Sequence, residues 1–266
     1  VVGKIRSAYP EAEIVVVDDG STDATPRLAR GQGAKVISHP HSLGNGAAVK
    51  AGARAAAGDI LVFLDADGQH DPDDIPRLLE KLEQGHEMAI GARSSASHAN
   101  KARLAANGVY NVIASMVTGH RIPDLTSGFR AVKADLFRKF LYLLPNGFSY
   151  PTTITMAFMR AGYPVTFVPI EAKKRKGKSH INPIKDGIRF LIIIFKIATL
   201  YAPLKLFLPS SFVFFVLGLG YYLYTFLTDG RFTNMSLLLF SAAVIIFLIG
   251  LISEQITALN FKDTLD

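Results

Sequence analysis

The sequence predicts an α/β fold built on a parallel, doubly wound sheet and followed by two membrane-spanning helices. In the first two thirds of the chain, short apolar runs alternate with helical segments, which is the pattern of βαβ units. Two of the apolar runs end in paired carboxylates. Near the C-terminus, Phe207–Leu227 and Phe232–Ser253 contain no charged residue. Each of these segments is long enough to cross about 30 Å of hydrocarbon as a helix.

The individual elements are predicted from apolar runs, capping residues and helix breakers. Residues 1–10 resemble the end of a helix stopped by Tyr-Pro, and the polar segment Ser94–Ala106 is predicted as a loop. Pro169 in the last apolar run indicates an edge strand. The predicted strands are Glu13–Asp18, Lys35–Ser38, Ile60–Leu64, Met88–Arg93 and Val165–Ile170, and the predicted helices are about 21–30, Asn45–Ala57, Asp73–Gln84, Asn107–Thr118, Lys133–Leu141 and Thr152–Ala161.

Composition narrows the classes of function. The 266 residues include no cysteine, which excludes disulfides, zinc–thiolate sites and thiol catalysis. The formal net charge of +7 indicates an anionic partner, such as a nucleic acid, an acidic membrane surface or a phosphate-bearing substrate. Between Lys173 and Lys205 there are nine Lys or Arg residues against one acid, Asp186. This basic block directly precedes the hydrophobic segments, so it favours the membrane surface over nucleic acid.

The segment Ile60–Asp71 contains the best candidate site. Its apolar run predicts a strand buried on both faces, which ends in Asp65 and Asp67. Residues two apart in an extended chain point to the same side, so both carboxylates could face one Mg²⁺ or Mn²⁺ ion or a cation-bound diphosphate. By itself the segment could equally be a solvated turn, because Asp and Gly are ordinary turn residues.

A second acidic cluster strengthens the first interpretation. Asp18 and Asp19 end the strand Glu13–Asp18, and the carboxyl ends of parallel strands meet at one edge of a sheet, where α/β proteins bind ligands. Asp18 or Asp19 could accept hydrogen bonds from the base or ribose of a sugar nucleotide, while Asp65 and Asp67 serve the cation on its diphosphate.

The C-terminal third divides into three segments. Residues 173–206 form a basic juxtamembrane segment, in which the mixed charged and apolar residues of Pro183–Tyr201 predict a helix lying in the membrane interface. Residues 207–256 are predicted to hold the two spans, and 257–266 a cytoplasmic tail. A hydrophobic hairpin buried in a soluble protein is the alternative. The basic block places the preceding domain, residues 1–172, in the cytoplasm.

Five motifs stand in the order in which they occur in a known family. They are VVVDDGSTDAT, the helix start Gly44-Asn45-Gly46, LDADGQHDP, SGFR and RKGKSH. The chain resembles family 2 glycosyltransferases over essentially its whole length, and is most similar to the dolichyl-phosphate mannose synthases and bacterial polyprenyl-phosphate glycosyltransferases. The resemblance implies a GT-A domain at residues 1–172. It also implies an integral membrane protein of a bacterial or archaeal plasma membrane or an ER-type membrane.

The resemblance also implies an activity and a set of site residues. The expected reaction is an inverting transfer of a hexose from a nucleotide sugar, of the GDP-mannose or UDP-glucose type, to dolichyl or undecaprenyl phosphate with Mg²⁺ or Mn²⁺. Carried over by motif, the expected metal ligands are Asp65, Asp67 and Gln69; the donor-binding residues Asp18, Asp19, Gly20, Ser21, Asp65, Ala66 and Arg175; the acceptor-binding residues Arg93, Ser127, Arg130, Lys178, Ser179 and His180; and the catalytic residues Asp67, Asp124 and Arg130.

Several expectations carry alternatives. Ser127-Gly128 could be only a turn with Arg130 on the surface, and Lys173–Lys176 could serve only to anchor the domain to anionic lipid. Asp124 is the best candidate if a carboxylate assists the acceptor. Gly44-Asn45-Gly46 lacks the third glycine of a dinucleotide fingerprint. Family members also begin with a central strand ahead of the helix where this chain starts. That strand is missing from this sequence, so we expect the given sequence to begin inside the domain.

Three other functions are compatible with the sequence. The acceptor could be a glycolipid or polysaccharide, although a processive synthase normally carries more spans. Asp65-Ala66-Asp67-Gly68 resembles the nucleophile loop of haloacid-dehalogenase-type phosphatases, but that family has Thr where Gln69 stands. A membrane-anchored binding module without activity is a further alternative, disfavoured by the intact carboxylates. The two uncharged spans carry small residues that could pack against copies of the same chain.

Overall fold

The computed structural model describes residues 1–93, 108, 111–112, 114–115, 118–147, 150–171, 192, 195, 199 and 201–260. The chain divides into two compact units, Val1–Ile188 and Arg189–Asp266. The first is an α/β unit, and the second consists mainly of two long helices.

The first unit alternates helices and strands as predicted. Its helices are α1 (Val2–Ala8), α2 (Thr25–Gly31), α3 (Asn45–Ala55), α4 (Ile75–Glu83), α5 (Ala134–Lys139) and α6 (Tyr150–Arg160), and its strands are β1 (Val15–Asp18), β2 (Lys35–Ser38), β3 (Ile60–Phe63), β4 (Met88–Arg93), β5 (Arg130–Lys133) and β6 (Val165–Ile170). Short 3-10 helices occupy Pro72–Asp74 and Leu141–Leu143. The described residues of the predicted helix 107–118 are helical.

The strands form two sheets rather than the single parallel sheet that the sequence predicts. β1 and β2 pair in parallel. The second sheet has the order β3-β5-β4-β6. In this sheet β5 is antiparallel to both β3 and β4, while β6 is parallel to β4. The antiparallel strand β5 is not predicted, because Arg-Ala-Val-Lys is short and has a charged residue at each end. The edge position of β6 agrees with Pro169.

The prediction that β3 is buried on both faces is wrong. Leu61 is 6% exposed, whereas Ile60 and Val62, which point to the opposite side, are 44% and 36% exposed. β3 lies at an edge of the second sheet and pairs with β5. Only one side of this strand therefore packs into the core.

The core that supports the candidate site lies between α4 and the second sheet. Its buried members are Ile75, Leu78, Leu82, Ala89, Phe129, Ala131, Val168 and Ile170. Gly91 of β4 lies against Phe129, because a Cβ at Gly91 would approach the Phe129 ring to 2.8 Å. The Gly91 amide also donates to the Phe129 carbonyl at 2.9 Å. This packing fixes the segment that leads into β5.

The N-terminus of α3 packs tightly on the loop Pro145–Gly147. The amides of Gly46 and Ala47 donate to the Gly147 and Asn146 carbonyls at 3.3 and 2.8 Å. A Cβ at Gly46 would lie 1.9 Å from the Pro145 carbonyl oxygen. The helix terminus therefore binds backbone of its own chain, which explains why glycine stands there without a dinucleotide fingerprint.

Gly46→Ala is therefore expected to destabilise the chain by about 1–3 kcal/mol, the typical cost of overpacking a closely packed position. The obstructing atom belongs to the backbone, so it cannot move aside as a flexible side chain would. The thermal unfolding midpoint measures the effect. Gly31→Ala in α2 is the control, because a Cβ at Gly31 meets nothing within 4 Å. Equal midpoints for the two variants would contradict this account.

The second unit is a helical hairpin of α7 (Pro203–Asp229) and α8 (Asn234–Asn260). By length and composition, both helices could cross a membrane. They pack through small residues: a Cβ at Gly218 would lie 3.1 Å from Leu239, and one at Gly250 would lie 2.7 Å from Phe207.

Polar contacts join the two helices of the hairpin. The Ser211 hydroxyl donates to the Ala243 carbonyl at 2.8 Å, and Glu254 accepts from the Leu204 amide at 3.4 Å. α7 extends beyond the predicted span at both ends. α8 begins two residues after the predicted start at Phe232, and it continues past Ser253 through the first residues of the predicted tail. In the predicted interfacial helix, the described residues 192, 195, 199 and 201 are helical.

Candidate functional site

The acidic motif forms a turn at the end of β3. Asp67 is exposed and accepts the Gln69 amide at 3.1 Å. Gly68 has φ of +75°, a backbone conformation that glycine adopts without strain. Asp65 is half-buried at the start of this turn. β3 ends at Phe63, so the expectation that strand geometry points both carboxylates to the same side is wrong. The turn instead leaves Asp67 in solvent and directs Asp65 inward against Gly128.

Asp65 lies among charged and buried groups. Burial is the main cause that raises the pKa of its carboxyl group above the ordinary value. The nearby charge of Asp67 adds to this rise, while His70, Arg93 and Arg130 oppose it. A cation bound at Asp65 would offset the cost of keeping its carboxylate ionised.

His70 was not among the expected site residues. It is 4% exposed, and its ring meets the Phe129 ring edge-on with 5.2 Å between centroids. Its Nδ1 atom is buried with no hydrogen-bond partner in the described part of the chain. Burial lowers the pKa of this histidine. His70 anchors the acidic turn to the core, and its position in LDADGQHDP was the signal available in the sequence.

Arg93 and Asp124 form a two-pronged ion pair. Nε and Nη2 of Arg93 donate to the two Asp124 carboxylate oxygens at 2.7 and 3.0 Å, and the Arg93 amide donates at 3.2 Å. Nη2 also reaches the Thr126 hydroxyl at 2.7 Å. Thr126, a further residue that was not singled out, completes this network. Planar guanidinium groups suit such paired contacts.

The ion pair changes the interpretation of Asp124. Burial raises the pKa of its carboxyl group, but hydrogen bonds from Arg93 outweigh this and lower the pKa below its ordinary value. A carboxylate held ionised by a paired cation is a weak base. Asp124 therefore fits the role of orienting Arg93 better than that of assisting the acceptor. For Arg93, the contact with a phosphate stays a prediction.

Arg130 is not on the surface, so that alternative is wrong. The side chain is completely buried, and its guanidinium donates to the carbonyls of Ser127 and Pro151 and to the Thr155 hydroxyl. Ser127 is likewise fully buried. Direct contact of either residue with a phosphate would require the residues that cover them to move. Their acceptor-binding roles stay predictions.

Asp19 organises the loop that follows β2. Its carboxylate accepts hydrogen bonds from the Ser42 hydroxyl and the amides of Leu43 and Gly44, and it pairs with His39 Nδ1 at 2.7 Å. Burial raises the pKa of this carboxyl group, but the hydrogen bonds outweigh it and hold the pKa far below the ordinary value. Asp19 is therefore ionised and engaged by its own chain, and its contact with a nucleotide stays a prediction.

The residues beside Asp19 shape the turn after β1. Asp18 is buried and accepts the Ser21 amide at 3.2 Å. Gly20 has φ of +82°, and a Cβ there would lie 2.8 Å from the His41 carbonyl carbon. Gly20 thus permits the close approach of the loop that Asp19 binds. Ala66 is exposed beside Asp67.

The basic segment expected to bind donor and acceptor lies outside the described residues; its expected site residues are Arg175, Lys178, Ser179 and His180. Among the residues that are described, no group of three or more His, Cys, Asp or Glu side chains could hold a metal ion. Asp65 and Asp67 supply two carboxylates, which suffices for a cation whose remaining ligands are substrate phosphates and water.

Known protein families match both units of the chain. Residues 2–141 match the model for glycosyl transferase family 2, and residues 202–259 match the model for the GtrB C-terminal hairpin. The solved structure of glucosyl-3-phosphoglycerate synthase from Mycobacterium tuberculosis, with Mn²⁺ and UDP-glucose, is similar with a TM-score of 0.58. It is 22% identical and covers 74% of this chain and 73% of that one. This likeness supports the GT-A fold.

Two curated relatives are similar in sequence. The chain is 33% identical over 178 residues to the dolichyl-phosphate hexose transferase of Haloferax volcanii, covering 66% of this chain and 76% of the relative. It is 30% identical over 196 residues to the undecaprenyl-phosphate mannosyltransferase of Micrococcus luteus, covering 68% of this chain and 80% of the relative. The family match, these relatives, the fold and the acidic turn at the end of β3 agree, and the chain therefore belongs to glycosyl transferase family 2.

Proposed function

We propose that this glycosyltransferase moves a hexose from a nucleotide sugar, of the GDP-mannose or UDP-glucose type, to a dolichyl or undecaprenyl phosphate. The observation that carries the proposal is the Asp65–Asp67 turn at the end of β3, in a chain that also carries the hairpin of α7 and α8. The names of both curated relatives describe transfer to such a lipid or from it. The family assignment removes the phosphatase alternative.

The residues of the acidic turn suit a divalent cation. Asp65 and Asp67 offer carboxylate oxygens, and Gln69 follows in the same turn. Oxygen ligands of this kind bind Mg²⁺ and Mn²⁺. When bound, such an ion neutralises charge that develops on the departing nucleoside diphosphate. Asp19, by holding the loop after β2, would shape the edge of the sheet where the nucleotide binds.

The acceptor phosphate requires little activation. A phosphate monoester has a second pKa of about 6, so it is largely dianionic at neutral pH. This agrees with a site in which Asp124 is paired with Arg93 rather than available as a base. Arg93, oriented by Asp124 and Thr126, would direct its remaining N–H groups to a phosphate. Attack in line on the anomeric carbon would invert its configuration.

The proposal also covers membrane topology. The basic block before α7 favours a cytoplasmic first unit, with the acceptor phosphate reached at that membrane face. Lys178, Ser179 and His180 are proposed to contact that phosphate, and Arg175 the donor. Association of α7 and α8 with copies of the same chain is a further part of the proposal.

A lipid-labelling experiment tests the proposed reaction. The purified full chain in detergent is incubated with labelled UDP-glucose or GDP-mannose, Mg²⁺ or Mn²⁺, and a polyprenyl phosphate. Label from one donor is expected to enter the organic phase, and a chelator is expected to prevent this. Label that appears only on a glycolipid or polysaccharide would support the alternative acceptor and contradict the lipid-phosphate proposal. No transfer from any donor would contradict both.

A further inference from the structure

The carboxylate of Asp65 lies directly against Gly128. A Cβ at Gly128 would stand 3.0 Å from Asp65 Oδ2, 3.4 Å from Asp65 Cγ and 3.3 Å from the Tyr150 hydroxyl oxygen. Separations of this size are tighter than ordinary van der Waals contact. Only a residue without a side chain leaves the carboxylate where it is.

Tyr150 contacts Gly128 through a hydrogen bond. It is 2% exposed, and its hydroxyl donates to the Gly128 carbonyl at 3.4 Å. The Arg130 guanidinium lies 5.7 Å from the centroid of the Tyr150 ring, within the range of a cation–π interaction. The segment that contacts Asp65 is thereby joined to the start of α6.

Arg130 also joins this segment to α6. Its guanidinium donates to the carbonyl of Ser127 and, across to α6, to the Pro151 carbonyl and the Thr155 hydroxyl at 3.2 Å each. All of these acceptors are neutral. The guanidinium charge is thus available to act over a longer distance on the nearby carboxylates, Asp65 and Asp124.

We propose that Gly128, Tyr150 and Arg130 are positioning residues that form a rigid floor beneath the Asp65 carboxylate and fix it for the divalent cation. This inference rests on the proposed function, since there Asp65 serves the cation. A positioning role for Arg130 is consistent with its complete burial, which direct contact with substrate is not. The inference also explains the glycine in the SGFR motif by a steric requirement of the neighbouring acidic turn.

Binding of Mn²⁺ tests the proposal without reference to turnover. Mn²⁺ is titrated into the purified full chain in detergent, alone and then with UDP or GDP, and the paramagnetic resonance signal of the free ion reports binding. Gly128→Ala is expected to weaken Mn²⁺ binding about tenfold, the usual range for residues that orient metal ligands. The atoms that must move are ends of side chains, so the thermal midpoint should stay near that of the parent chain.

Gly31→Ala is the matched control, because a Cβ there meets nothing within 4 Å, and it should bind Mn²⁺ as the parent does. Tyr150→Phe keeps the ring beneath Arg130 and loses one long hydrogen bond, so a smaller loss of about threefold is expected. Because Tyr150→Phe retains the buried ring, it tests the proposal even if Gly128→Ala does not fold.

A double-mutant cycle separates positioning from a general structural effect. If Gly128 acts through Asp65, then Gly128→Ala should weaken binding little further in a chain that already carries Asp65→Asn. Independent, multiplying losses would overturn the proposal. So would unchanged Mn²⁺ affinity in both Gly128→Ala and Tyr150→Phe, or a parent chain that binds no Mn²⁺ under any of these conditions.

The outcome is distinguishable from failure of the proposed function. If the parent chain transfers sugar to lipid phosphate and Gly128→Ala binds Mn²⁺ as tightly as the parent, the proposed function is supported and the positioning role of Gly128 is contradicted. Conversely, weakened Mn²⁺ binding in a chain that labels no lipid would support the floor and contradict the function.

Discussion

Asp67→Asn is expected to lower kcat for metal-dependent transfer by about a thousandfold. A cation that neutralises the departing diphosphate contributes several kcal/mol to the transition state, and a thousandfold corresponds to about 4 kcal/mol. The exposed asparagine would still accept the Gln69 amide through its side-chain oxygen, so the turn should persist. Initial rates with labelled donor and lipid phosphate measure the effect, together with the thermal midpoint.

Asp135→Asn is the control for Asp67→Asn. Asp135 is also exposed but lies in the first turn of α5, outside the acidic turn of β3. Its replacement should leave the rate near that of the parent. Equal rates for the parent and Asp67→Asn would remove Asp67 from the site, and a large fall in the thermal midpoint would mean that the turn depends on its charge.

Asp124→Asn is expected to have the second large effect, on stability. Removal of one partner from a buried ion pair costs about 3 kcal/mol, because the remaining charge is left without compensation. The Asp124 side chain is 8% exposed and that of Arg93 is 21% exposed, so solvent replaces the lost contact poorly. A loss of this size lowers the thermal midpoint of a domain of this length by about 6–12 °C.

The loss should also depend on pH in a defined direction. The pKa of Asp124 is lowered in the folded chain, so the unfolded chain, with a pKa of about 3.9, binds protons first as the pH falls. The ion pair therefore stabilises the fold fully above about pH 4, and this stabilisation is lost as the pH falls through the lower folded pKa. The gap in midpoint between parent and Asp124→Asn should stay constant from pH 7 to about pH 4 and narrow as the pH falls further. A gap that stays constant below that pH as well would mean that the charge of Asp124 is not what stabilises the fold.

The role of Asp124 in activity is tested by comparing Arg93→Gln with a double variant that carries both Arg93→Gln and Asp124→Asn. If Asp124 acts by orienting Arg93, the double variant should lose little more activity than Arg93→Gln alone. A general base would instead give a further loss. This measurement decides between the role expected from the sequence and the role that the ion pair indicates.

Local sequence pattern was sufficient to predict five of the six described strands, including β1 and β3, which lead into the acidic turns. β2, β4 and β6 have the predicted bounds, and β1 and β3 differ from prediction by one or two residues. Apolar runs, turn residues and strand-end carboxylates are separated by few positions, so they can be read without knowing the fold. β5 could not be found in this way, because its four residues form a strand only by pairing between β3 and β4.

The same limit applies to individual side chains. Arg93 and Asp124 are 31 positions apart, and Arg130 and Thr155 are 25 apart. Their residue types suggested phosphate binding and base catalysis, but burial and pairing restrict what each can reach. No periodicity or spacing encodes which of two distant polar groups will meet in the core.

The sequence by itself therefore determined the α/β class, the acidic turn at the end of β3, the hydrophobic hairpin and the resemblance to family 2 glycosyltransferases. All four depend on residues close together in the chain. The tertiary structure alone decided the antiparallel place of β5, the pairing of Asp124 with Arg93 and the position of Gly128 beneath Asp65. These arise from distant segments packed together, where close approach and desolvation select the contacts that form.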